Sequence, residues 1–262
     1  MTTVLQLSDP HLLADPTARL RGVPTAETLA KVLALAEQRA VQIDAIVLTG
    51  DLAHDEQAAT YERLHEAMGP HAPRCWPLPG NHDDRHGLRS AFTNVQGSGD
   101  ERVQFCVDVG RWRLIGLDSQ IPGQNPGRLG SEQLSWLVDA LARRPERPTV
   151  LFVHHPPVPT GHTWLDAMGL LDADALADVL RDAPTVRAIC HGHIHCEFEG
   201  RLAGVPVWGA PSTAFQFPAR ADLGDFDLRP PGARLLHLHD NTVHTEILRL
   251  PRLEYVPVPR TA

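Results

Sequence analysis

Short apolar runs alternate with helical spacing in the first third of the chain. Residues 4–8, 43–48 and 75–78 are mostly apolar and predict buried strands. The apolar positions of two intervening helices are Leu29, Val32, Leu33 and Ala36, and then Tyr61, Leu64 and Met68. Pro24-Thr25 is predicted to open the first helix, and Asp55 is predicted to cap the second. This strand–helix–strand order predicts parallel strands joined by right-handed crossovers.

The pattern changes after residue 100. Residues 104–109 and 112–117 predict a hairpin with no helix between its strands. Further strands are predicted at 149–153 and 186–190. Ser131 and Asp172 are predicted to cap two helices, whose apolar faces are Leu134, Leu137, Val138 and Leu141, and Leu176, Val179 and Leu180.

The last part of the chain is mostly β. Short strands are predicted within 201–208, and a hairpin is predicted over 233–239 and 242–248. With Asp240-Asn241 at the turn, Leu238 lies opposite Val243 and His237 opposite His244, so the apolar residues share one face. Residues 210–232 are predicted to form a long loop, and loops of that length are often functional.

These elements together predict an α/β (α+β) fold. Its parallel units and antiparallel hairpins indicate two mixed β-sheets packed face to face and flanked by helices, in a four-layer αββα sandwich. We expect residues 1–262 to form a single domain, because polar blocks from both ends of the chain have to meet in one site.

Five blocks of Asp, His and Asn residues follow the predicted strands almost without exception. The blocks are Asp9-Pro10-His11, Gly50-Asp51, Gly80-Asn81-His82-Asp83, His154 and Gly192-His193-Ile194-His195. Because loops at the carboxyl ends of strands converge on one crevice, these side chains are expected to meet there. Carboxylate, imidazole and amide donors without a thiolate suit two divalent cations that share a carboxylate, an arrangement that cuts phosphate esters.

The spacing within the blocks adds detail. Asp9 and His11 are two residues apart, as are His193 and His195, so each pair projects to one side if the segment is extended. The two imidazoles of the second pair could serve one ion, or one each of two neighbouring ions. Asp51 offers two oxygens and can bridge two cations that lie about 3.5–4 Å apart.

Composition limits the partners. The chain has 15 histidines, and those interpreted as surface or satisfied core residues are His65, His71, His86, His237, His239 and His244. The formal net charge is −8 without a basic cluster, which argues against binding a nucleic-acid polymer or an anionic membrane. The four cysteines form no CxxC pair, and neither a signal peptide nor an apolar run of about 20 residues is visible. These features predict a soluble cytoplasmic protein with reduced cysteines.

The ordered blocks resemble the motifs of the calcineurin-like metallophosphoesterase superfamily. Further stretches are similar to bacterial class III 3′,5′-cyclic AMP phosphodiesterases, namely Leu117-Asp118-Ser119-Gln120, His154-His155-Pro156, Cys190-His191-Gly192-His193-Ile194-His195, Ala210-Pro211-Ser212-Thr213 and Gln216-Phe217. The resemblance extends from Leu5 to about Leu250, and no ligand position of the superfamily pattern is substituted.

The resemblance implies a function and a set of ligands. It assigns a first metal to Asp9, His11, Asp51 and His195, and a second to Asp51, Asn81, His154 and His193. It makes His82 a catalytic residue that is not a ligand, beside the phosphoryl group as stabiliser or proton donor. The metals would be two divalent or mixed-valence ions of iron, manganese or zinc. The reaction would be hydrolysis of 3′,5′-cyclic AMP to 5′-AMP by attack of a metal-bridging hydroxide.

Alternatives remain beside this interpretation. The small-molecule substrate could be another phosphodiester, such as a glycerophosphodiester or a 2′,3′-cyclic nucleotide. A non-catalytic scaffold of the same fold is disfavoured because every ligand position is intact. The protein could form a homo-oligomer.

Several single residues have two interpretations each. Asp83 could orient His82 or cap the following turn. His155 could support the ligands, face the substrate or pack at a strand end. Asp118 and Ser119 could support the site as hydrogen-bond partners of the ligands. Trp164 could stack on a base at the rim of the pocket, although a core position is the simpler interpretation. Cys190 and Cys196, which flank the ligand loop, are interpreted as inert buried thiols.

Overall fold

The computed structural model describes residues 1–40, 42–96, 102–218 and 225–259. Its strands are β1 Thr2–Leu7, β2 Ala45–Thr49, β3 Cys75–Leu78, β4 Phe105–Val109, β5 Trp112–Leu117, β6 Thr149–Val153, β7 Val186–His191, β8 Phe198–Leu202, β9 Val205–Gly209, β10 Gly232–His239 and β11 Thr242–Arg249. Its α-helices are α1 Thr25–Arg39, α2 Ala58–Ala67, α3 Arg85–Ala91, α4 Gly130–Ala142, α5 Thr163–Asp166 and α6 Ala173–Arg181. A 3₁₀ helix, Gly69–Arg74, leads into β3.

Two sheets face each other across the middle of the molecule. The first has the strand order β11-β10-β1-β2-β3, and the second has the order β4-β5-β6-β7-β9-β8. In the first sheet β1, β2 and β3 are parallel, while β10 pairs with β1 antiparallel. In the second sheet β5, β6, β7 and β9 are parallel, and β4 and β8 pair antiparallel at the two edges. Both sheets are therefore mixed, as predicted.

Three apolar clusters hold the layers together. One joins the first sheet to α1, α2 and α3, and includes Leu5, Leu29 and Leu64. A second fills the space between the sheets with residues such as Val47 and Phe152. A third joins the second sheet to α4 and α6. The order helix, sheet, sheet, helix confirms the predicted αββα sandwich.

The C-terminal hairpin has the predicted register. Leu238 pairs with Val243, and His237 pairs with His244. The described part of 210–231 contains no helix or longer strand, and a single bridge joins Gln216 to Asp227, while residue 232 already belongs to β10. Residues 219–224 of that loop lie outside the described residues.

The helix α1 begins at Thr25 after Pro24, as predicted, but other helix starts differ from the predictions. α2 begins at Ala58 after Gln57, so Asp55 is not its N-cap; the Asp55 carboxylate accepts hydrogen bonds from the backbone of Ala14 and the hydroxyl of Thr60. α3 follows Asp84, whose side chain accepts from the N–H of Gly87, and this helix was not predicted.

The start of α4 shows a cap supplied from elsewhere in the chain. The Asp172 carboxylate accepts hydrogen bonds from the N–H groups of Leu129 (3.0 Å) and Gly130 (2.8 Å). Ser131 is therefore not the cap of α4, and Asp172 makes no side-chain cap bond to its own helix, α6. Val138, predicted to be in the core face of α4, is 48 % exposed, because that position lies on the outer side of the helix. No helix among the described residues is long and apolar enough to cross a membrane.

Candidate metal centre

All eight predicted site residues meet where five strands of the two sheets end. Asp9 and His11 follow β1, Asp51 follows β2, and Asn81 and His82 follow β3. From the second sheet, His154 follows β6, and His193 and His195 follow β7. The site thus lies at the edge where both sheets present the carboxyl ends of their parallel strands, as expected.

The first predicted ligand set is compact. Donor atoms of Asp9, His11, Asp51 and His195 all lie within 4.8 Å of one another, and the four side chains are buried. The Nε2 atom of His11 lies 3.6 Å from Oδ2 of Asp51, and the Nε2 atom of His195 lies 3.6 Å from Oδ1 of Asp9. One ion could therefore contact all four residues.

The second set lies on the other side of Asp51. The Nε2 atom of His154 lies 3.5 Å from Oδ1 of Asp51 and 3.3 Å from Oδ1 of Asn81. The Nδ1 atom of His193 lies 3.2 Å from the same nitrogen of His154. Asp51 therefore presents Oδ2 to the first set and Oδ1 to the second, the geometry of a bridging carboxylate.

The imidazole nitrogens of the site lie so close together that the rings cannot all be protonated at once. Nε2 of His11 and Nε2 of His195 lie 3.1 Å apart, and Nε2 of His193 has no hydrogen-bond partner among the described residues. Burial holds the pKa of His11 and of His193 well below the usual range, and lowers that of His195 to about 3. Neutral imidazole is the form that binds metals. The donor set therefore fits two cations.

The two carboxylates respond to this environment in opposite directions. Burial, together with the charge of Asp51, raises the pKa of Asp9. Burial also acts to raise the pKa of Asp51, but the imidazoles of His154 and His11 outweigh it and the net shift is downward.

Hydrogen bonds to main-chain carbonyls fix two of the rings. Nδ1 of His154 donates to the carbonyl of Thr49 (2.8 Å), and Nδ1 of His195 donates to the carbonyl of Phe215 (3.0 Å). Each bond leaves Nε2 directed into the site, which is how such partners orient metal-binding histidines. The carboxylate of Asp9 is held in turn by the N–H of His193 (3.0 Å).

The backbone of the ligand loops is strained. The residues with φ between 44° and 71° include Asp9, His11, Asp51, His193 and His195. This left-handed region is uncommon for residues other than glycine and, where the structure enforces it, often marks a functional site. The expectation of an extended Asp9–His11 segment is therefore wrong, although both residues reach the site.

Two glycines allow the close packing of these loops. A Cβ atom on Gly80 would lie 2.2 Å from Oδ1 of Asp51, and one on Gly192 would lie 2.2 Å from Oγ of Ser8. Any larger residue at either position would displace the loop that carries neighbouring ligands.

Asp83 has neither of the two roles considered for it. Its buried carboxylate accepts hydrogen bonds from the N–H groups of Leu52, Ala53 and Gly80, and from the hydroxyl of Tyr61. It therefore ties the loop after β2 to the loop after β3. Burial and the nearby Asp51 charge raise the pKa of Asp83 to about 7.

His155 packs against two of the predicted ligands. Its Nδ1 is 2.7 Å from Oγ of Ser119 and its Nε2 is 2.9 Å from the carbonyl of Asn125, so both nitrogens are occupied. Its ring packs against those of His154 and His193, with centroids 4.8 and 4.9 Å away. Ser119 thus acts through His155.

Asp118 contacts none of the predicted ligands. It forms a two-point ion pair with Arg85, whose Nε lies 2.7 Å from Oδ2, and it accepts a hydrogen bond from the N–H of Val103. It therefore joins α3 to the second sheet. The four cysteines are unpaired, and burial raises the pKa of Cys190 and of Cys196 to about 12, in agreement with inert thiols.

The sequence interpretation missed His54. Its Nδ1 lies 3.3 Å from Nδ1 of His11, and its ring centroid lies 5.1 Å from that of His82. Donor atoms of these three histidines lie within 4.8 Å of one another. The signal that could have found it is position, because His54 belongs to the same strand-end loop as Asp51.

A cavity of about 810 Å³ opens over the site. It is lined by Asp51, Asn81, His82 and ligand histidines at one end, and by an apolar wall at the other. Trp164 lines this cavity and is 44 % exposed, so the simpler interpretation of a core tryptophan is wrong. His162, two residues earlier, is buried instead.

Solved structures with the same fold include phosphatases. A dimetal phosphatase from Danio rerio aligns with a TM-score of 0.64 at 17 % identity, over 95 % of this chain and 98 % of its own. A purple acid phosphatase from yellow lupin aligns with a TM-score of 0.66 at 14 % identity, over 98 % of this chain and 52 % of its own. At these identities the likeness concerns the fold alone.

Relatives in sequence are cyclic nucleotide phosphodiesterases. The 3′,5′-cyclic adenosine monophosphate phosphodiesterase CpdA of Pseudomonas aeruginosa is 38 % identical, over 91 % of this chain and 86 % of its own. The enzyme of the same name from Escherichia coli K12 is also 38 % identical, over 97 % and 92 %. Residues 2–197 match the family described as calcineurin-like phosphoesterase. The chain therefore belongs to the calcineurin-like phosphoesterase family.

Proposed function

We propose that this protein is a metal-dependent phosphodiesterase that hydrolyses 3′,5′-cyclic AMP to 5′-AMP. The observation that carries the proposal is the position of Asp51 between two ligand sets, at the floor of a cavity that also contains His82. The relatives named as cyclic AMP phosphodiesterases, which match nearly the whole length of the chain, support the choice of substrate.

The two metals would be held by the two sets that share Asp51. The first set is Asp9, His11, Asp51 and His195, and the second is Asp51, Asn81, His154 and His193. When bound, two such cations supply the positive charge that neutralises a phosphodiester, and they make water a better nucleophile. The nitrogen and oxygen donors suit iron, manganese or zinc.

His82 is the residue that we assign to proton transfer. It is half-buried, it lines the cavity, and its ring centroid lies 5.2 Å from that of His11. Its backbone N–H donates to Oδ1 of Asp51 (3.0 Å), which places its side chain next to the bridging carboxylate. In this position the imidazole donates a proton to the departing O3′ of the cyclic nucleotide.

The compartment belongs to the same proposal. The cysteines Cys75, Cys106, Cys190 and Cys196 are all unpaired. Because thiols stay reduced in the cytoplasm, we assign the protein to that compartment.

A substrate panel tests the proposal. Protein reconstituted with iron, manganese or zinc is assayed with 3′,5′-cyclic AMP, 3′,5′-cyclic GMP, 2′,3′-cyclic AMP and glycerophosphocholine. We expect the highest kcat/KM for 3′,5′-cyclic AMP, and 5′-AMP as its product. A clear preference for glycerophosphocholine or for the 2′,3′-cyclic ester would overturn the assignment of substrate. Loss of all turnover in fully metal-loaded protein would overturn the assignment as an enzyme.

A further inference from the structure

The cavity over the metal centre has two chemically different ends. The polar end is formed by the ligand residues and His82, and the other end by apolar and aromatic side chains, which are Leu20, Trp164, Leu165, Met168, Phe215, Phe217 and Phe226. Its volume of about 810 Å³ is in the range of small-molecule sites and exceeds what a phosphate group fills. Binding of metals and a phosphate group at the polar end does not explain why the other end is apolar.

The short helix α5, which carries Trp164, is fixed by hydrogen bonds and by packing. The Asp166 carboxylate accepts hydrogen bonds from the N–H of Thr160 and of Gly161, which fixes the start of the short helix. Leu165 is buried against Ile194, the residue between His193 and His195. Leu165 and Trp164 both line the cavity, and 44 % of the Trp164 surface is exposed.

Phe217 joins Trp164 to the metal centre. Its ring stacks on the imidazole of His195, with centroids 4.4 Å apart and planes 25° apart. It meets the Trp164 ring nearly at right angles, with centroids 5.2 Å apart. One ring therefore separates a ligand imidazole from the indole, much as one ribose separates the phosphate from the base in a nucleotide.

The charged residues that line the cavity indicate which kind of ligand fits its apolar end. Aromatic rings also bind quaternary ammonium groups, which are cations. A pocket for such a group is therefore not expected to contain another positive charge. Here Arg21 lines the cavity, and among the described residues of the lining the only carboxylate is Asp51, at the metal end. A flat neutral ring therefore fits the apolar end better than a choline group.

We propose that the apolar end is a nucleobase subsite in which Trp164 is the stacking surface. The inference extends the proposed function, since it assigns a residue to recognition of the base. Aromatic side chains stack on a base through its π-face, and the loss of such a partner weakens binding about 5- to 150-fold. Phe217 packs between Trp164 and His195.

The test measures binding directly. Isothermal titration of the metal-loaded protein compares 5′-AMP with ribose 5-phosphate, which has the same sugar and phosphate but no base. We expect 5′-AMP to bind about 5- to 150-fold more tightly in the wild type. Trp164→Ala should remove most of that difference by weakening 5′-AMP alone, and Trp164→Phe should keep most of it. Val138→Ala, an exposed apolar position on α4, is the control and should leave both affinities unchanged.

Two results would overturn the subsite. They are equal wild-type affinities for the two ligands, and a base preference that persists in Trp164→Ala. If cyclic AMP is hydrolysed while the base contributes nothing, the subsite is wrong and the proposed function stands. If 5′-AMP binds through Trp164 while cyclic AMP is not hydrolysed, the subsite stands and the proposed reaction is wrong.

Discussion

Asp51 contacts both proposed ligand sets through different oxygens, one 3.6 Å from His11 and the other 3.5 Å from His154. Asp51→Asn keeps the shape of this side chain and removes its charge. We expect the variant to lose metal from both sets and to lose at least about 10²–10³-fold in kcat/KM, because both cations lose their shared counter-charge. Metal content by atomic spectroscopy and turnover of cyclic AMP measure the two effects.

A matched control is available four residues later. The carboxylate of Asp55 accepts only structural hydrogen bonds, from the loop at Ala14 and from α2. Asp55→Asn should therefore keep both metals. Full metal content and full turnover in Asp51→Asn would contradict the bridging role.

His82 allows a prediction about the leaving group. His82→Ala should retain both metals, since the residue is not placed among the ligands, and should slow hydrolysis of cyclic AMP by about 10²–10⁴-fold. The loss should be much smaller with bis(p-nitrophenyl) phosphate, because nitrophenolate departs without a proton. Steady-state rates on both substrates give the comparison, and equal losses would argue against proton donation by His82.

The sequence was informative about residue types and poor about their conformation. Asp and His after an apolar run show where donors gather, because strand ends fix the location. The sequence does not fix positive φ at Asp9 and His11, because Asp and His adopt that conformation more often than most residues but still in a small minority of cases. The exposure of Trp164 likewise depends on which face of a four-residue helix meets Ile194.

At the scale of elements, Asp172 shows that a helix can be capped by a residue far away in the sequence. Its carboxylate caps α4 although it precedes α6, so it ties together the two helices that cover the second sheet. We expect Asp172→Ala to lower the free energy of unfolding by about 1–2 kcal/mol, and Tm by roughly 2–8 °C.

Ser131 is the control for that variant. It lies in the first turn of α4, and was the cap expected from the sequence, but it is exposed. Ser131→Ala should change the free energy of unfolding by less than about 0.5 kcal/mol. Thermal or urea unfolding compares the two variants, and a larger effect at Ser131 than at Asp172 would reverse our assignment.

The elements themselves differed in how well they could be predicted. The strands and longer helices follow hydrophobic spacing, which shows clearly when a segment is long or fully buried. α3 has only seven residues and too few apolar positions to show a period. The cap of α4 could not be found from local sequence, because the residue that supplies it is about 40 positions away.

At the scale of the whole molecule, the two proposed metals would connect the two sheets. The first set takes three residues from the first sheet and one from the second, and the second set takes two from each. Removing the metals should therefore destabilise the fold as well as stop catalysis. At a free metal concentration 1,000 times Kd, one site contributes about 4 kcal/mol, which corresponds to roughly 8–16 °C in Tm.

Unfolding scans with and without a chelator test this expectation. The wild type should lose that stability, and Asp51→Asn should show a much smaller difference, because its metal sites are already impaired. Identical melting of chelated and metal-loaded wild type would show that the ions contribute nothing to joining the sheets.

The prediction that residues 1–262 form one domain stays a prediction.

The fold was predictable at this scale because parallel units and hairpins leave different patterns. Crossover helices separate β1, β2 and β3, whereas β4 and β5 follow each other directly. The pairing of β1 with β10 could not be predicted, since strands about 230 residues apart carry no local signal for each other.

That pairing has a consequence for biosynthesis. β1, which carries the first ligands, remains a sheet edge until β10, beginning at Gly232, has left the ribosome. At 5–20 residues per second this interval lasts roughly 10–50 s. During that time the nascent chain exposes an unpaired strand, a template for aggregation. The catalytic pocket can be completed only when synthesis is nearly finished, so a prematurely terminated chain would be inactive and prone to aggregate.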